Sequence, residues 1–297
     1  MTVCWRRSAV LAVVLATLVG AAGATAEVLI EDDFEYFPAN SGSHAVSPPS
    51  GSGAPLNRVW DQPIWWHKSD ALRIVCDGTA ASGHCYLSEN FLSGVQGASE
   101  LRDHADREPT RWKAPSDEAW IRHFVRWPEG WEWPGHAIHL KLGRLRIADN
   151  CRGGPCMQSF WGLASDPNIL RWGYDFTLDG RTHCCPTNEV RGRLPGGFQP
   201  GRWYCLELYI RHNTRERPAD GVMEIYVDGT RIGENRSVNT RGASGPGTFD
   251  WRVVTLADNF VGRLRDGAAA TERTPAVHFD GFVFATTRPG CVVPGPR

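Results

Sequence analysis

The sequence predicts an all-β sandwich, and three observations carry that prediction. Short runs of alternating apolar and polar residues recur along the chain and end at Gly, Pro, Asn or Asp. No segment sustains a helical period, and no internal repeat is present. An even set of eight cysteines remains once an exported-type leader is set aside, as expected of a disulfide-stapled domain.

The leader comes first in the chain. Arg6 and Arg7 form a basic start, an apolar run follows from Ala9 to Ala22, and Ala24-Thr25-Ala26 precedes Glu27. That order reads as a secretory signal peptide over residues 1–26, which places the rest in a secreted, periplasmic or extracellular setting. The apolar run is short for a membrane span, and no membrane span is expected in residues 27–297. Those residues are read as one domain, long enough to bury a core. The 32 basic and 33 acidic residues nearly cancel and are scattered. Nucleic acid is therefore excluded as the main partner, because phosphate binding needs concentrated positive charge. A monomer is expected.

Residues 28–37 read as a first strand and its exit, and residues 38–56, rich in Pro, Ser and Gly, as a loop. Residues 71–75 form a short strand. Residues 97–118 are polar and charged and read as irregular, with a single helical turn. The signal sharpens at residues 119–127, where Trp120, Arg122, Phe124 and Arg126 alternate with Ile121, His123, Val125 and Trp127. Pro128-Glu129-Gly130 ends that run. Residues 136–142 alternate again, with Ile138, Leu140 and Leu142 on one face and His139 and Lys141 on the other. Residues 171–178 are a further strand, closed by Asp179-Gly180. In residues 203–212, Tyr204, Leu206, Leu208 and Ile210 oppose Cys205, Glu207, Tyr209 and Arg211. Residues 222–227 follow, carrying Glu224 and Tyr226 on one face. Asp228-Gly229 then predicts a tight turn into Thr230-Arg231-Ile232. Residues 276–285 are the last strand.

Cys76 and Cys85 bracket a Gly-rich turn and are expected to pair. Cys151, Cys156, Cys184 and Cys185 offer two crosslinks between neighbouring loops, and Cys205 with Cys291 would tie a central strand to the C-terminus. Sequence leaves this connectivity open. A zinc site built from His183, Cys184, Cys185 and the 151/156 pair is the alternative.

Arg202-Trp203-Tyr204-Cys205-Leu206-Glu207, Asn213-Thr214, Asp220-Gly221-Val222 and Tyr226-Val227-Asp228-Gly229 together resemble a strand pair of concanavalin A-like jelly rolls, closest to their alginate-lyase-like polysaccharide lyases. Phe124 to Gly130, Asn259-Phe260-Val261-Gly262 and His278 to Val283 resemble further pieces of that family in the same order. The resemblance spans residues 119–291 and implies a concanavalin A-like β-jelly-roll sandwich of two antiparallel sheets. Where those lyases carry a Gly-Gly-Lys-Leu-type stretch, this chain has His136 to Leu142. Ala137-Ile138-His139 is similar to the Gln-Ile-His strand of another alginate lyase family, with Ala in place of the Gln that would neutralise the substrate carboxylate.

The activity implied by the resemblance is β-elimination of a uronate-containing polysaccharide or oligosaccharide. It requires groups that hold a carboxylate, a base, and a proton donor for the leaving oxygen. Within that reading His139 is base or carboxylate neutraliser, and Tyr174 or Tyr226 is base or acid. Arg122, Arg126 and Lys141 bind carboxylates, with Arg171, Glu207, Tyr209, Arg211 and Glu224 as further substrate contacts. Two other classes compete. The thirteen tryptophans suit a non-catalytic sugar-binding module, with Trp65-Trp66 and Trp131-Glu132-Trp133 in loop-like contexts and Trp120 and Trp203 read as core. A glycoside hydrolase needs two spaced carboxylates, but Glu31-Asp32-Asp33-Phe34-Glu35-Tyr36 lacks the Glu-x-Asp-x-x-Glu pattern of this fold's hydrolases. No cofactor is required. A structural calcium on Asp32, Asp33 and Asp280 is an expectation from hard oxygen ligands at strand ends. Asn235-Arg236-Ser237 matches a glycosylation acceptor.

Overall fold

A computed structural model describes residues 27–45, 72–90, 117–133, 136–146, 156–163, 168–178, 181–214, 219–240, 251–257, 259–263 and 276–292, with shorter pieces at 56, 59–63, 97–98, 101–105, 112 and 166. Among these residues the regular elements are strands. In chain order they are β1 (Val28–Asp32), β2 (Gly42–Ala45), β3 (Gln62–Pro63), β4 (Leu72–Cys76), β5 (Tyr86–Asn90), β6 (Gly97–Ala98), β7 (Leu101–His104), β8 (Glu118–Arg126) and β9 (His136–Arg146). They continue as β10 (Cys156–Leu163), β11 (Ile169–Leu178), β12 (Arg181–Arg193), β13 (Trp203–Arg211), β14 (Gly221–Val227), β15 (Thr230–Val238), β16 (Val253–Leu256), β17 (Asn259–Arg263) and β18 (Ala276–Ala285).

The strands form two antiparallel sheets. The first runs β15-β14-β13-β8-β18-β5-β4-β2, with β1 also on β18. The second runs β12-β11-β10-β9-β16-β7-β3, with β17 on β9 and β6 on β17. This is a jelly-roll sandwich, whose core is filled by one face of each sheet. From the first sheet come Ile121, Val125, Leu206, Leu208, Ile210, Met223 and Ile225; from the second, Leu140, Leu142, Leu145, Trp161, Leu170, Trp172 and Val190. Burying one such large side chain contributes about 1.5–3 kcal/mol. The alternation expected for residues 119–127 and 203–212 is therefore present, with the charged set facing outward.

Two turns follow from local chemistry. Asp228 and Gly229 join β14 to β15 with positive φ at both positions, 49° and 79°, which is the primed hairpin turn that an Asp-Gly pair favours. In β18 the register breaks between Asp280 and Val283, and Gly281 takes φ 49° there. A Cβ at Gly281 would lie 3.0 Å from the Phe124 ring. This bulge brings both Phe279 and Phe282 into the core.

Some expectations change. Residues 101–104, read as irregular, form β7, paired with β16. Their charge hid the strand, because Asp103 points inward and accepts a hydrogen bond from Trp112 Nε1 at 2.9 Å. Residues 42–45, read as loop, form edge strand β2 on β4. Trp120 and Trp203 lie on the outer face of the first sheet, half-buried, rather than in the core. Trp131 is buried, and Trp133 packs against the core, its ring 5.2 Å from that of Trp127. Trp131 is therefore not a sugar platform, while Trp133 remains half-buried. Trp65 and Trp66 lie outside the described residues.

Two of the expected disulfides are formed, Cys76–Cys85 and Cys205–Cys291. Cys151 lies outside the described residues, as do the side chains of Cys156, His183, Cys184 and Cys185. Among the described residues, no helix is long and apolar enough to cross a membrane.

Candidate functional site

The sequence-predicted residues divide between the two sheets. Arg122, Arg126, Glu207, Tyr209, Arg211, Glu224 and Tyr226 sit on β8, β13 and β14 of the first sheet; His139, Lys141, Arg171 and Tyr174 sit on β9 and β11 of the second. One surface cannot hold both groups. The side chains of His139 and Tyr174 lie outside the described residues. Their backbone positions are set by pairing: His139 opposes Val261, and Tyr174 opposes Ser159 at a register break between β11 and β12.

On the outer face of the first sheet the polar side chains are engaged by their neighbours. Arg126 lies between two rings, 4.6 Å from the centroid of Trp203 and 4.9 Å from that of Tyr86. It also donates to His278 Nδ1 at 3.2 Å and to both the carbonyl and the hydroxyl of Thr79 at 3.0 Å. Arg122 is buried and donates to the Val292 carbonyl at 3.2 Å. Glu207 is fully buried, accepts two bonds from Arg288 at 3.1 and 2.7 Å, and takes a third from Gly290 N–H. Tyr209 donates to Glu118 at 2.6 Å and Tyr226 to Glu224 at 2.5 Å. Glu224 also accepts from Arg231 and Arg236, and Arg211 donates to the Asp220 carbonyl. Burial first, then the carboxylate partner, pushes the pKa of both tyrosines above the ordinary value. A phenol that donates to a carboxylate and resists ionisation is a poor base, so Tyr226 does not fit the base half of the role expected of it.

The outer face of the second sheet has a different charge balance. Registers align Lys141, Gly162, Arg171 and Arg191 in one row across β9, β10, β11 and β12. A second row runs Arg102, Thr255, Arg144, Phe160, Gly173 and Glu189. Arg146 and Arg193 extend this face, opposite in alternation to the core residues Leu145 and Val190; Arg102 and Arg146 are buried, so its accessible cations are Lys141, Arg144, Arg171, Arg191 and Arg193. Among the described side chains, Asp166 accepts from Arg193 at 3.4 Å, and Glu189 is the carboxylate set between Arg171 and Arg191. Arg171 donates to it from Nε at 3.0 Å and from Nη2 at 2.5 Å, and Arg191 donates from Nε. Burial works to raise the Glu189 pKa, but the hydrogen bonds and charges of Arg171 and Arg191 outweigh it and hold the carboxyl below its ordinary value. A surface rich in guanidinium and ammonium groups suits a chain of carboxylates.

Sequence reasoning missed Arg102, Arg144, Arg146, Glu189 and Arg191. A signal existed: Glu189-Val190-Arg191-Gly192-Arg193 alternates charged with apolar or small residues, as a half-buried strand does.

Asp32 and Asp280 sit on adjacent strands β1 and β18, each in its own network. Asp32 accepts from Phe34 N–H, Tyr36 O–H and Trp60 Nε1 at 2.7–2.8 Å. Asp280 accepts from Ser82 N–H at 2.6 Å, Ser82 O–H at 3.2 Å and Gly281 N–H at 2.7 Å. Oxygens surrounded by donors fit a protein hydrogen-bond network rather than a shared calcium. Asp33 Oδ1 accepts from Glu35 N–H.

Solved structures with this fold include an endo-β-1,4-glucuronan lyase from the fungus Trichoderma reesei, at a TM-score of 0.54 and 15% identity over 83% of this chain and 95% of that one. A PL-14 alginate lyase from Aplysia kurodai aligns at a TM-score of 0.55 and 14% identity, over 82% of this chain and 98% of that one. A laminarinase from Flavobacterium sp. UMI-01 aligns at a TM-score of 0.49 and 11% identity, over 88% of this chain and 100% of that one. No protein-family model matches this chain, and no curated protein matches it. The chain has the jelly-roll fold of the alginate and glucuronan lyases, and a fold hosts many activities.

Proposed function

We propose that this protein is a secreted polysaccharide lyase that cleaves a uronate-containing glycan by β-elimination on the outer face of its second sheet. The observation that carries the reading is the pair of cation-rich rows on that face, centred on Lys141, Arg144 and Arg171. Secretion is supported by the leader-like residues 1–26 and by the two disulfides.

In β-elimination a base removes the proton on the carbon next to the substrate carboxylate. The electron pair becomes a carbon–carbon double bond, and the glycosidic oxygen leaves with a proton from an acid. Cations on the carboxylate stabilise the charge that develops. His139, two residues before Lys141 on β9, is assigned as base or carboxylate neutraliser. Lys141, Arg144 and Arg171 are assigned to hold carboxylates; Tyr174 falls out of alternation with Arg171 on β11 and is not assigned to this face. This assignment sets aside Arg122, Arg126 and Tyr226.

The test is formation of unsaturated uronate product, read by ultraviolet absorbance, across a panel of uronate polysaccharides. The wild type should release product from at least one, and His139→Ala should abolish release with little change in thermal stability. Wild-type activity in His139→Ala removes that residue from the mechanism. Uronate binding without any product would make the protein a binding module.

A further inference from the structure

Arg171 and Arg191 stand directly opposite each other on β11 and β12. Like charges in that position repel and destabilise a sheet. Glu189, diagonal to Arg171 and two residues before Arg191, bonds both. Its side chain is 5% exposed, whereas those of Arg171 and Arg191 are 33% and 62% exposed. The carboxylate is thus spent inside the triad while the guanidinium groups reach solvent.

Arg191 is held at one point only. Its Nε donates to Glu189, and its two Nη groups, the fork that grips a carboxylate at two points, make no hydrogen bond among the described residues. Its strand, β12, is the edge of the second sheet. Across the row, Lys141 and Arg191 are three strand spacings apart, roughly 14 Å, the span of a short oligosaccharide. Glu189 is fixed from behind as well, since its backbone carbonyl accepts Asn235 Nδ2 at 3.0 Å from β15 of the other sheet. The triad is a pre-aimed anion grip at the rim of the face.

From this we infer that Arg191, aimed by Glu189, is an outlying subsite for a uronate carboxylate, several sugars from the bond that is cut. Glu189 is a positioning residue. The inference rests on the uronate reading of the same face and adds to it a preference for longer chains.

The test compares the full-length wild type with Arg191→Gln, an exposed substitution expected to leave the melting temperature unchanged. Migration is measured in native gels containing a uronate polymer or a neutral glucan, and KM and kcat are measured on uronate oligosaccharides of increasing length. Arg191→Gln should weaken retardation by the uronate polymer and raise KM about ten-fold, one carboxylate grip of ~1.4 kcal/mol, on long oligosaccharides only. kcat and the KM of the shortest cleaved substrate should not move. Glu189→Gln, which also releases Arg171, should show the long-substrate effect together with a loss on the shortest substrate. A wild type retarded by uronate polymer with Arg191→Gln indistinguishable from it overturns the subsite alone. Equal losses on short and long substrates in Arg191→Gln also overturn it. A wild type that no uronate polymer retards overturns the uronate reading itself.

Discussion

His123 shows how one buried polar side chain can join the two sheets. It sits on β8 in the core, its Nε2 accepting from Trp161 Nε1 of β10 at 2.9 Å and its Nδ1 3.3 Å from the Phe124 carbonyl. Those partners fix a neutral imidazole with the proton on Nδ1. Burial, and then the nearby Arg122 charge, lowers its pKa to about 4 despite the Phe124 carbonyl bond. His278 is lowered to about 3, by burial and then by Arg126. In the window from about 4 to 6.5 the unfolded chain binds more protons at these sites than the folded one, so stability falls as pH drops. Asp32 and Asp280, raised mainly by burial to about 6 and about 7, act with the opposite sign: the folded state holds protons longer, and stability falls as pH rises toward 7. The histidine contribution should surface in His123→Gln, which keeps an acceptor for Trp161. Its melting temperature should drop less than the wild type's between pH 6.5 and pH 4. Trp161→Phe leaves the buried His123 Nε2 unpartnered and should cost about 1–3 kcal/mol in denaturant unfolding. The Asp32 and Asp280 networks predict that a calcium chelator leaves the melting temperature unchanged; a clear drop would restore a metal to that end of the sheet. The sequence made His123 legible as inward-facing. Its partner Trp161 was not, since nothing in sequence pairs β8 with β10 across a core.

At the scale of elements, the segment after β18 acts as a fastener across the first sheet. Cys291 is bonded to Cys205, Arg288 grips Glu207, and Val292 takes Arg122. Removing Arg288 would strand a fully buried carboxylate. Breaking a buried pair costs about 3–5 kcal/mol, and less here because the Arg288 side chain is 39% exposed. Arg288→Met should therefore destabilise clearly, and adding Glu207→Gln should recover part of the loss, a coupling that a double-mutant cycle reads directly. The disulfide closes a loop of sequence separation 86, which the chain-entropy account values at about 4–5 kcal/mol. Strands with clean alternation, such as β8, β13, β14 and β18, were legible because one face is apolar. Strand β7 was not, because its charged Asp103 is satisfied by Trp112 outside the strand, whereas β12 alternates legibly only over residues 189–193.

For the whole molecule, alternation showed which residues face outward, but not in which sheet. Arg122 and Lys141 carry the same local signature on β8 and β9, consecutive among the long strands, yet the chain crosses from one sheet to the other between them. Only the strand order reveals that they work on opposite sides of the sandwich. That order also governs how the molecule assembles. The last strand, β18, lies in the middle of the first sheet, between β8 and β5, and also pairs with β1, bringing Val28 beside Ala285. Until residues 276–285 arrive, β8 and β5 have no shared neighbour and β1 has no partner in the sheet. Folding must then wait on contacts between the far ends of the sequence, the kind that pay loop-closure entropy before any reward and place a protein among slow folders. A chain built this way stays open and threadable for as long as its tail is withheld.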